Sequence, residues 1–338
     1  MSPQFRALLV GAGGMGRNWA KNLTACDEVS LAGWVDIMPD AASKAAHDLG
    51  IEVGYTDTDL ERALAEVKPD FLVDVSIPEA HHDVTLTALA VGVPVLGEKP
   101  MADTMERARE MVAASERAGK LYMVSQSRRY NAQLQAFRRL IAGQLGELGI
   151  LNADFYLGAH FGGFRDEMAH VLILDMAIHT FDAARYLSDA DPISVYCDEF
   201  NPPWSWYNGA SSAVALFEMS NGLRYTYRGS WCAEGRMTSW ESDWRAVGAN
   251  GTATWDGSNP PTAEVVTQRG GFISEVEPRT TTVADIQPGI AGSLRDFLHA
   301  LRTGATPMGE CHDNIKSLAM VFAAIESAQT SQRVNIEF

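Results

Sequence analysis

Phe5-Arg6-Ala7-Leu8-Leu9-Val10-Gly11-Ala12-Gly13-Gly14-Met15-Gly16 decides how the first part of this 338-residue chain is read. A short run, apolar apart from Arg6, stops at a glycine cluster, and a helical stretch follows to about Cys26. Gly11, Gly13 and Gly16 fit G-x-G-x-x-G. The first glycine permits a tight turn, the second admits a pyrophosphate close to the backbone, and the third lets the helix pack on the strand. The start of such a helix offers free N–H groups and a positive dipole end to an anion. A strand before the motif and a helix after it supply the context that distinguishes it from an ordinary turn.

Outward from this motif, strand-like and helix-like segments alternate. Ser30–Val35 ends at Asp36, and Asp40–Leu49 reads as a helix closed by Gly50. A weaker unit covers Tyr55 to Val67. Phe71–Val75 ends at Ser76-Ile77-Pro78, and Glu79–Val91 is helical. Val93–Leu96 ends at Gly97-Glu98-Lys99-Pro100, a helix capped by Asp103 or Thr104 reaches Gly119, and Leu121–Val124 is one more strand. Continuous apolar strands between helices imply a parallel, doubly wound sheet covered on both faces. Ligands of such sheets bind beyond the carboxyl ends of the strands.

Asp36 lies where a carboxylate accepts hydrogen bonds from an adenosine ribose, although it also suits a turn or a helix cap. A carboxylate there repels a 2′-phosphate, and Ile37-Met38-Pro39 brings no arginine, so the expected cofactor is NAD rather than NADP.

From Ile150 the pattern changes to alternating strands: Ile150–Leu157, Ile193–Glu199, Ser212–Met219, Leu223–Ser230, Trp244–Val247 and Thr252–Trp255. Ser220-Asn221-Gly222 and Asn250-Gly251 are hairpin signals. Helices are expected at Asn131–Ala142, Leu172–Leu187, Ile290–Arg302 and Asp313–Ala328, and Gly270-Gly271 and Asn259-Pro260-Pro261 read as loops. The expectation is an α/β Rossmann domain over 1–126 and an α+β domain over 127–338 with a large, mostly antiparallel open sheet. Six of the eight tryptophans fall between Trp204 and Trp255. That suggests oligomerisation through the sheet or stacking on a sugar, with core packing as the plain alternative.

Bulk properties set limits. A net charge of −16 and the absence of a basic stripe argue against nucleic acid and anionic membranes as partners. No apolar run spans a bilayer, and Phe5–Val10 is too short for a signal-peptide core. Cys26, Cys197, Cys232 and Cys311 are widely spaced and read as reduced thiols. A cytoplasmic location is expected.

Chemistry-bearing residues stand out in the segment His170–Tyr186. Asp175 and His179 are four apart on an otherwise apolar helix, which puts them on one face, and Asp182 continues the stripe. Buried carboxylates need partners, so a polar pocket or a structural Asp–His pair is implied. The spacing of His170, Asp175 and His179 matches no familiar metal motif, and no metal is expected. Lys99, at a strand end, suits a group that hydrogen-bonds a substrate hydroxyl.

Together, Gly11–Gly16, Pro78-Glu79-Ala80-His81-His82, Gly97-Glu98-Lys99-Pro100, Arg128-Arg129-Tyr130 and Asp175-x-x-x-His179 with Asp182 resemble the Gfo/Idh/MocA family. That is the family of glucose–fructose oxidoreductase, inositol dehydrogenase and the rhizopine-catabolism protein. The resemblance implies that Lys99, Asp175 and His179 form the catalytic set, with His179 as base, Lys99 polarising the substrate oxygen and Asp175 orienting both. It implies a cofactor site lined by Gly11, Gly13, Gly14, Met15, Gly16, Asp36, Ile37, Ser76, Ile77, Pro78, His81, Glu98, Lys99 and Arg128. It also implies a cis bond before Pro100 and a homodimer or homotetramer formed through the C-terminal sheet. The implied activity is NAD-dependent oxidation of a sugar, cyclitol or related polyol. An NAD-using glycosidase with transient oxidation and a non-catalytic dinucleotide or sugar sensor are the competing readings. The chain departs from the family at Arg165-Asp166-Glu167-Met168-Ala169-His170, where a glycine-rich approach is usual. His160, Arg165, His170 and Arg236, with Lys99, Asp175 and His179, are therefore the candidate substrate contacts.

Overall fold

The computed structural model describes residues 5–338. They divide into two compact units: one runs through Ser127 and includes Gln287–Ile315, and the other comprises Arg128–Ile286 with Lys316–Phe338.

The first unit alternates β1 (Phe5–Val10), α1 (Gly14–Thr24), β2 (Val29–Val35), α2 (Ala41–Leu49), β3 (Thr56–Asp57) and α3 (Leu60–Val67). It continues with β4 (Phe71–Asp74), α4 (Pro78–Ala90), β5 (Val95–Gly97), α5 (Met105–Ala118) and β6 (Tyr122–Val124). The sheet order is β3-β2-β1-β4-β5-β6, all pairs parallel. Ala7, Leu8, Leu9, Phe71, Leu72 and Val73 are fully buried, as central strands covered on both faces must be. The direction of winding reverses between β1 and β4, which opens a crevice at their carboxyl ends. Thr104, rather than Asp103, caps α5: its hydroxyl accepts from the Arg107 N–H at 3.2 Å.

The second unit opens with a 3₁₀ turn at Ser127–Tyr130, then α6 (Ala132–Gln144), β7 (Leu148–Tyr156) and the short α7 (Phe164–Glu167). A π-helical segment, Leu172–Ala177, runs directly into α8 (Ile178–Ser188). The strands follow: β8 (Pro192–Phe200), β9 (Ser212–Met219), β10 (Arg224–Ser230), β11 (Asp243–Gly248), β12 (Gly251–Trp255), β13 (Thr262–Gln268) and β14 (Glu275–Thr280). The chain ends with α9 (Gly289–Thr303), α10 (Cys311–Thr330) and β15 (Val334–Asn335). The nine-stranded order is β14-β13-β12-β11-β7-β10-β9-β8-β15, antiparallel except where β7 meets β10.

Several sequence expectations are corrected. Residues 287–315 belong with the first unit, not the second: Phe297 of α9 packs on Phe71 of β4 with ring centroids 5.4 Å apart. β13, β14 and β15 extend the sheet beyond the expected strands. Every residue of β14 except Arg279 is exposed, and the strand carries Pro278, a composition suited to an edge. The expected helix over 172–187 is π-helical in its first part. The tryptophans do not form an outer sheet layer. Trp231, Trp244 and Trp255 are buried, while Trp204 and Trp240 are exposed in loops.

One face of the sheet carries α8. Phe181 meets Phe217 of β9 at 4.9 Å and Tyr227 of β10 at 5.3 Å. Asp182 does not extend a polar stripe toward a ligand: it is 1% exposed and accepts from Arg129 Nε at 2.8 Å, Arg129 Nη2 at 2.7 Å and Ser317 Oγ at 2.7 Å. This ties α8 to the 3₁₀ turn and to α10. Removing one partner of a buried pair strands the other charge, at a cost of about 3–5 kcal/mol. Arg129→Met is therefore expected to lower stability to chemical denaturation by about that amount, with Arg129→Met/Asp182→Leu losing less than the single variant. A single-variant loss below about 1 kcal/mol contradicts the assignment.

Candidate functional site

The glycine loop is shaped by contacts that exclude side chains. Gly11 has φ +100°, and a Cβ there would sit 2.5 Å from the Val75 carbonyl oxygen. A Cβ on Gly16 would lie 2.1 Å from the Gly11 oxygen, so the start of α1 closes tightly against β1. Gly13 and Gly14 face open space and are exposed. Gly13 caps α1 without a side-chain hydrogen bond, and the first turn of α1 carries no acidic residue. The helix N-terminus thus offers N–H groups to an anion, with no carboxylate in its own first turn. Trp34 Nε1 donates to the Gly11 carbonyl at 2.9 Å, which fixes the loop from β2.

Asp36 is half-buried at the end of β2 and accepts from the Ala12 N–H at 2.7 Å and the Met38 N–H at 2.8 Å. It therefore serves the turn, and its remaining lone pairs leave capacity for ribose hydroxyls. Met15, Ile37 and Ile77 are 46%, 83% and 63% exposed. These apolar side chains stand at the carboxyl edge of the sheet, where an adenine ring is to be covered. The residues present fit NAD.

At the end of β4, Asp74 is fully buried and gathers Ser76 Oγ at 2.6 Å and His81 Nδ1 at 2.9 Å. His81 is 2% exposed, so it shapes this edge through Asp74 and Ser76. Burial works against charge on the ring, but Asp74, with Glu98 and Glu79 adding to it, prevails and holds His81 above the ordinary histidine range. Pro78 is the first residue of α4. Glu98 is buried, accepts from Trp19 Nε1 at 2.7 Å and from the Lys99 N–H at 3.1 Å, and burial pushes its carboxyl up. The Lys99–Pro100 bond is cis.

In the second unit, Asp175 lies in the π-helical segment and His179 in the first turn of α8, both half-buried. The wider π turn replaces the regular spacing assumed between them, and such bulges are frequent at functional sites. Arg165 reaches Asp175 from α7: Nε donates to Oδ2 at 2.8 Å, and Nη2 lies 3.4 Å from Oδ1. The guanidinium carbon is 4.8 Å from the ring centroids of both Phe161 and Phe164.

The other named residues fall in different surroundings. His160 is exposed, stacks on Trp206 at 3.7 Å and pairs with Glu234 at 3.0 Å. His170 is engaged on both ring nitrogens, Nδ1 with Glu199 of β8 at 2.5 Å and Nε2 with Gln329 Nε2 at 3.4 Å. Arg236 is exposed with φ +46°. Arg128 donates to Met176 Sδ at 3.3 Å, with Glu241 3.9 Å away, and burial lowers its pKa. Sequence reasoning missed Phe161, Phe164 and the indole anchors Trp19 and Trp34. Phe161-Gly162-Gly163-Phe164 was the available signal, since both glycines take φ +69°.

A pH test follows from the Asp74–His81 pair. Its stabilisation is complete below the ordinary histidine pKa of ~6.5 and fades as pH climbs through the raised folded-state value. The melting-temperature difference between the wild type and His81→Gln is expected to shrink as pH rises above ~6.5. A difference that stays constant or grows contradicts the pairing.

Residues 5–126 match the model of the oxidoreductase family with NAD-binding Rossmann fold, and residues 133–254 match the Gfo/Idh/MocA C-terminal domain. D-apiose dehydrogenase of Paraburkholderia graminis is 25% identical over 99% of this chain and 90% of its own length. Inositol 2-dehydrogenase of an Arthrobacter species is 31% identical over 58% of this chain and 57% of its own. An oxidoreductase from Agrobacterium radiobacter, solved with NAD+, L-tartaric acid and magnesium, superposes with a TM-score of 0.83 at 22% identity, covering 98% of each chain. With these two models matched over most of its length, the chain belongs to the Gfo/Idh/MocA family of NAD-binding oxidoreductases.

Proposed function

We propose that this protein is an NAD-dependent dehydrogenase that oxidises a secondary hydroxyl of a sugar, cyclitol or related polyol. The observation that carries the reading is the presence of Lys99, Asp175 and His179 in a chain that matches both the N-terminal and the C-terminal domain model of the family. The names of its inositol- and apiose-oxidising relatives support this over the glycosidase and sensor alternatives.

Bound NAD supplies the acceptor for the hydride that leaves the carbinol carbon. The α1 N-terminus with Gly13 and Gly14 holds the pyrophosphate, and Asp36 takes the ribose hydroxyls. Met15, Ile37 and Ile77 cover apolar surface, and Ser76, Pro78, His81, Glu98 and Arg128 complete or support the site. His179 takes the proton from the substrate hydroxyl, a role suited to an imidazole near neutral pH. Lys99 donates to the same oxygen and stabilises the negative charge that develops there. Asp175 orients the substrate.

The reading includes a cytoplasmic enzyme that prefers NAD over NADP. Among the described residues no helix is long and apolar enough to cross a membrane. It also includes a homodimer or homotetramer built on the open sheet face, where Tyr196, Val214 and Leu216 are exposed beside the Arg228–Asp154 pair.

Two measurements test these assignments. Lys99→Ala and His179→Ala are expected to lower kcat by about 10²–10⁴-fold on a polyol that the wild type oxidises, with NAD binding retained in His179→Ala. Full turnover in both variants contradicts the mechanism. Asp36→Ser is expected to weaken NAD about tenfold, the loss of roughly one charged hydrogen bond, and to narrow the preference over NADP. An unchanged NAD/NADP ratio removes Asp36 from the site.

A further inference from the structure

We propose that the substrate is a sugar acid and that Arg165 recognises its carboxylate; the proposal rests on the dehydrogenase reading above and narrows its substrate class. A guanidinium has five N–H donors in a fixed fork. Arg165 turns one edge, Nε with Nη2, toward Asp175. Among the described residues its contacts are Asp175 and the two rings, which leaves the end formed by Nη1 and Nη2 for a further acceptor. A carboxylate can take two parallel N–H bonds from that end, whereas a hydroxyl takes one.

The surroundings favour this use. Phe161 and Phe164 each place a ring 4.8 Å from the guanidinium carbon, a cation–π contact that holds it in position for an anion. The side chain is 32% exposed and so remains reachable. Phe161 also meets Trp231 at 5.2 Å and Trp240 at 6.4 Å, and Trp231 meets Trp240 at 5.5 Å. Phe161 and Trp240 keep 41% and 50% of their surfaces exposed, an apolar platform for the C–H face of a sugar ring. The other charged groups in these loops include Asp166 and Glu167 beside Arg165 on α7, Glu234 in contact with His160, and the exposed Arg236, so the carboxylate must be held by the fork geometry of Arg165 rather than by a general positive field. Asp175 lies on the adjoining edge of the fork, which shares Nη2, so Arg165 bridges two carboxylates when substrate is bound.

The test uses the full-length enzyme saturated with NADH and matched ligands: glucose with glucuronate, and galactose with galacturonate. Affinity is read by calorimetry, and NAD reduction is measured separately. At least one acid is expected to bind about tenfold more tightly than its neutral partner, the equivalent of one added charge-assisted hydrogen bond. Arg165→Met is expected to bring that ratio to about one, and Arg165→Lys to keep part of it, because a point charge cannot reproduce the fork. Retained NADH affinity shows that each variant is folded. Equal or tighter binding of the neutral sugar in both pairs, binding of neither class, or a preference that survives Arg165→Met overturns the proposal. Acid preference without NAD reduction leaves the proposal standing and removes the dehydrogenase reading. Oxidation of neutral sugars without acid preference does the reverse.

Discussion

The second unit depends on a charge that has nowhere else to go. Asp182 is buried on α8 and satisfied only because Arg129 and Ser317 converge on it from two other elements. A buried carboxylate without such partners is strongly unfavourable, so this pair specifies one arrangement of α8. The π-helical segment and first turn of that same helix carry Asp175 and His179. Their positions are inherited from an interaction that takes no part in chemistry. Arg165 then links the loop before the helix to Asp175, so the candidate substrate wall is tied to the same anchor.

The first unit is organised by exclusion of side chains rather than by buried charge. Gly11 and Gly16 allow backbone to approach backbone within distances that a Cβ forbids. Two indoles complete the arrangement: Trp34 holds the Gly11 carbonyl, and Trp19 holds Glu98 beside Lys99. Each is fully buried and spends its single N–H on a group next to the proposed ligand. The effect is a rim held by hydrogen bonds at the place proposed for the dinucleotide.

Much of this was legible in the sequence. Strands buried on both faces are continuous apolar runs, and glycine punctuates them, so the Rossmann elements could be placed to within a few residues. The outer strands could not. Thr262–Gln268 and Glu275–Thr280 are largely exposed and carry glutamates and a proline, so no alternation distinguishes them from loops. The π segment has no sequence period of its own. Asp182 looked like a continuation of a functional stripe because spacing cannot tell a ligand-facing carboxylate from one neutralised by an arginine 53 residues away. The place of α9 in the first unit follows from a long-range contact between Phe297 and Phe71, which no local pattern encodes.

The central claim is that a hydride leaves a carbinol carbon of the substrate for NAD. It is tested most directly with a polyol or sugar acid deuterated at the oxidised carbon, by following the label with mass spectrometry. The account predicts that the deuterium appears in the reduced nicotinamide as a gain of about one mass unit, with the ketone product free of label at that carbon. Label that returns to the sugar product, with no net reduced cofactor, would contradict it.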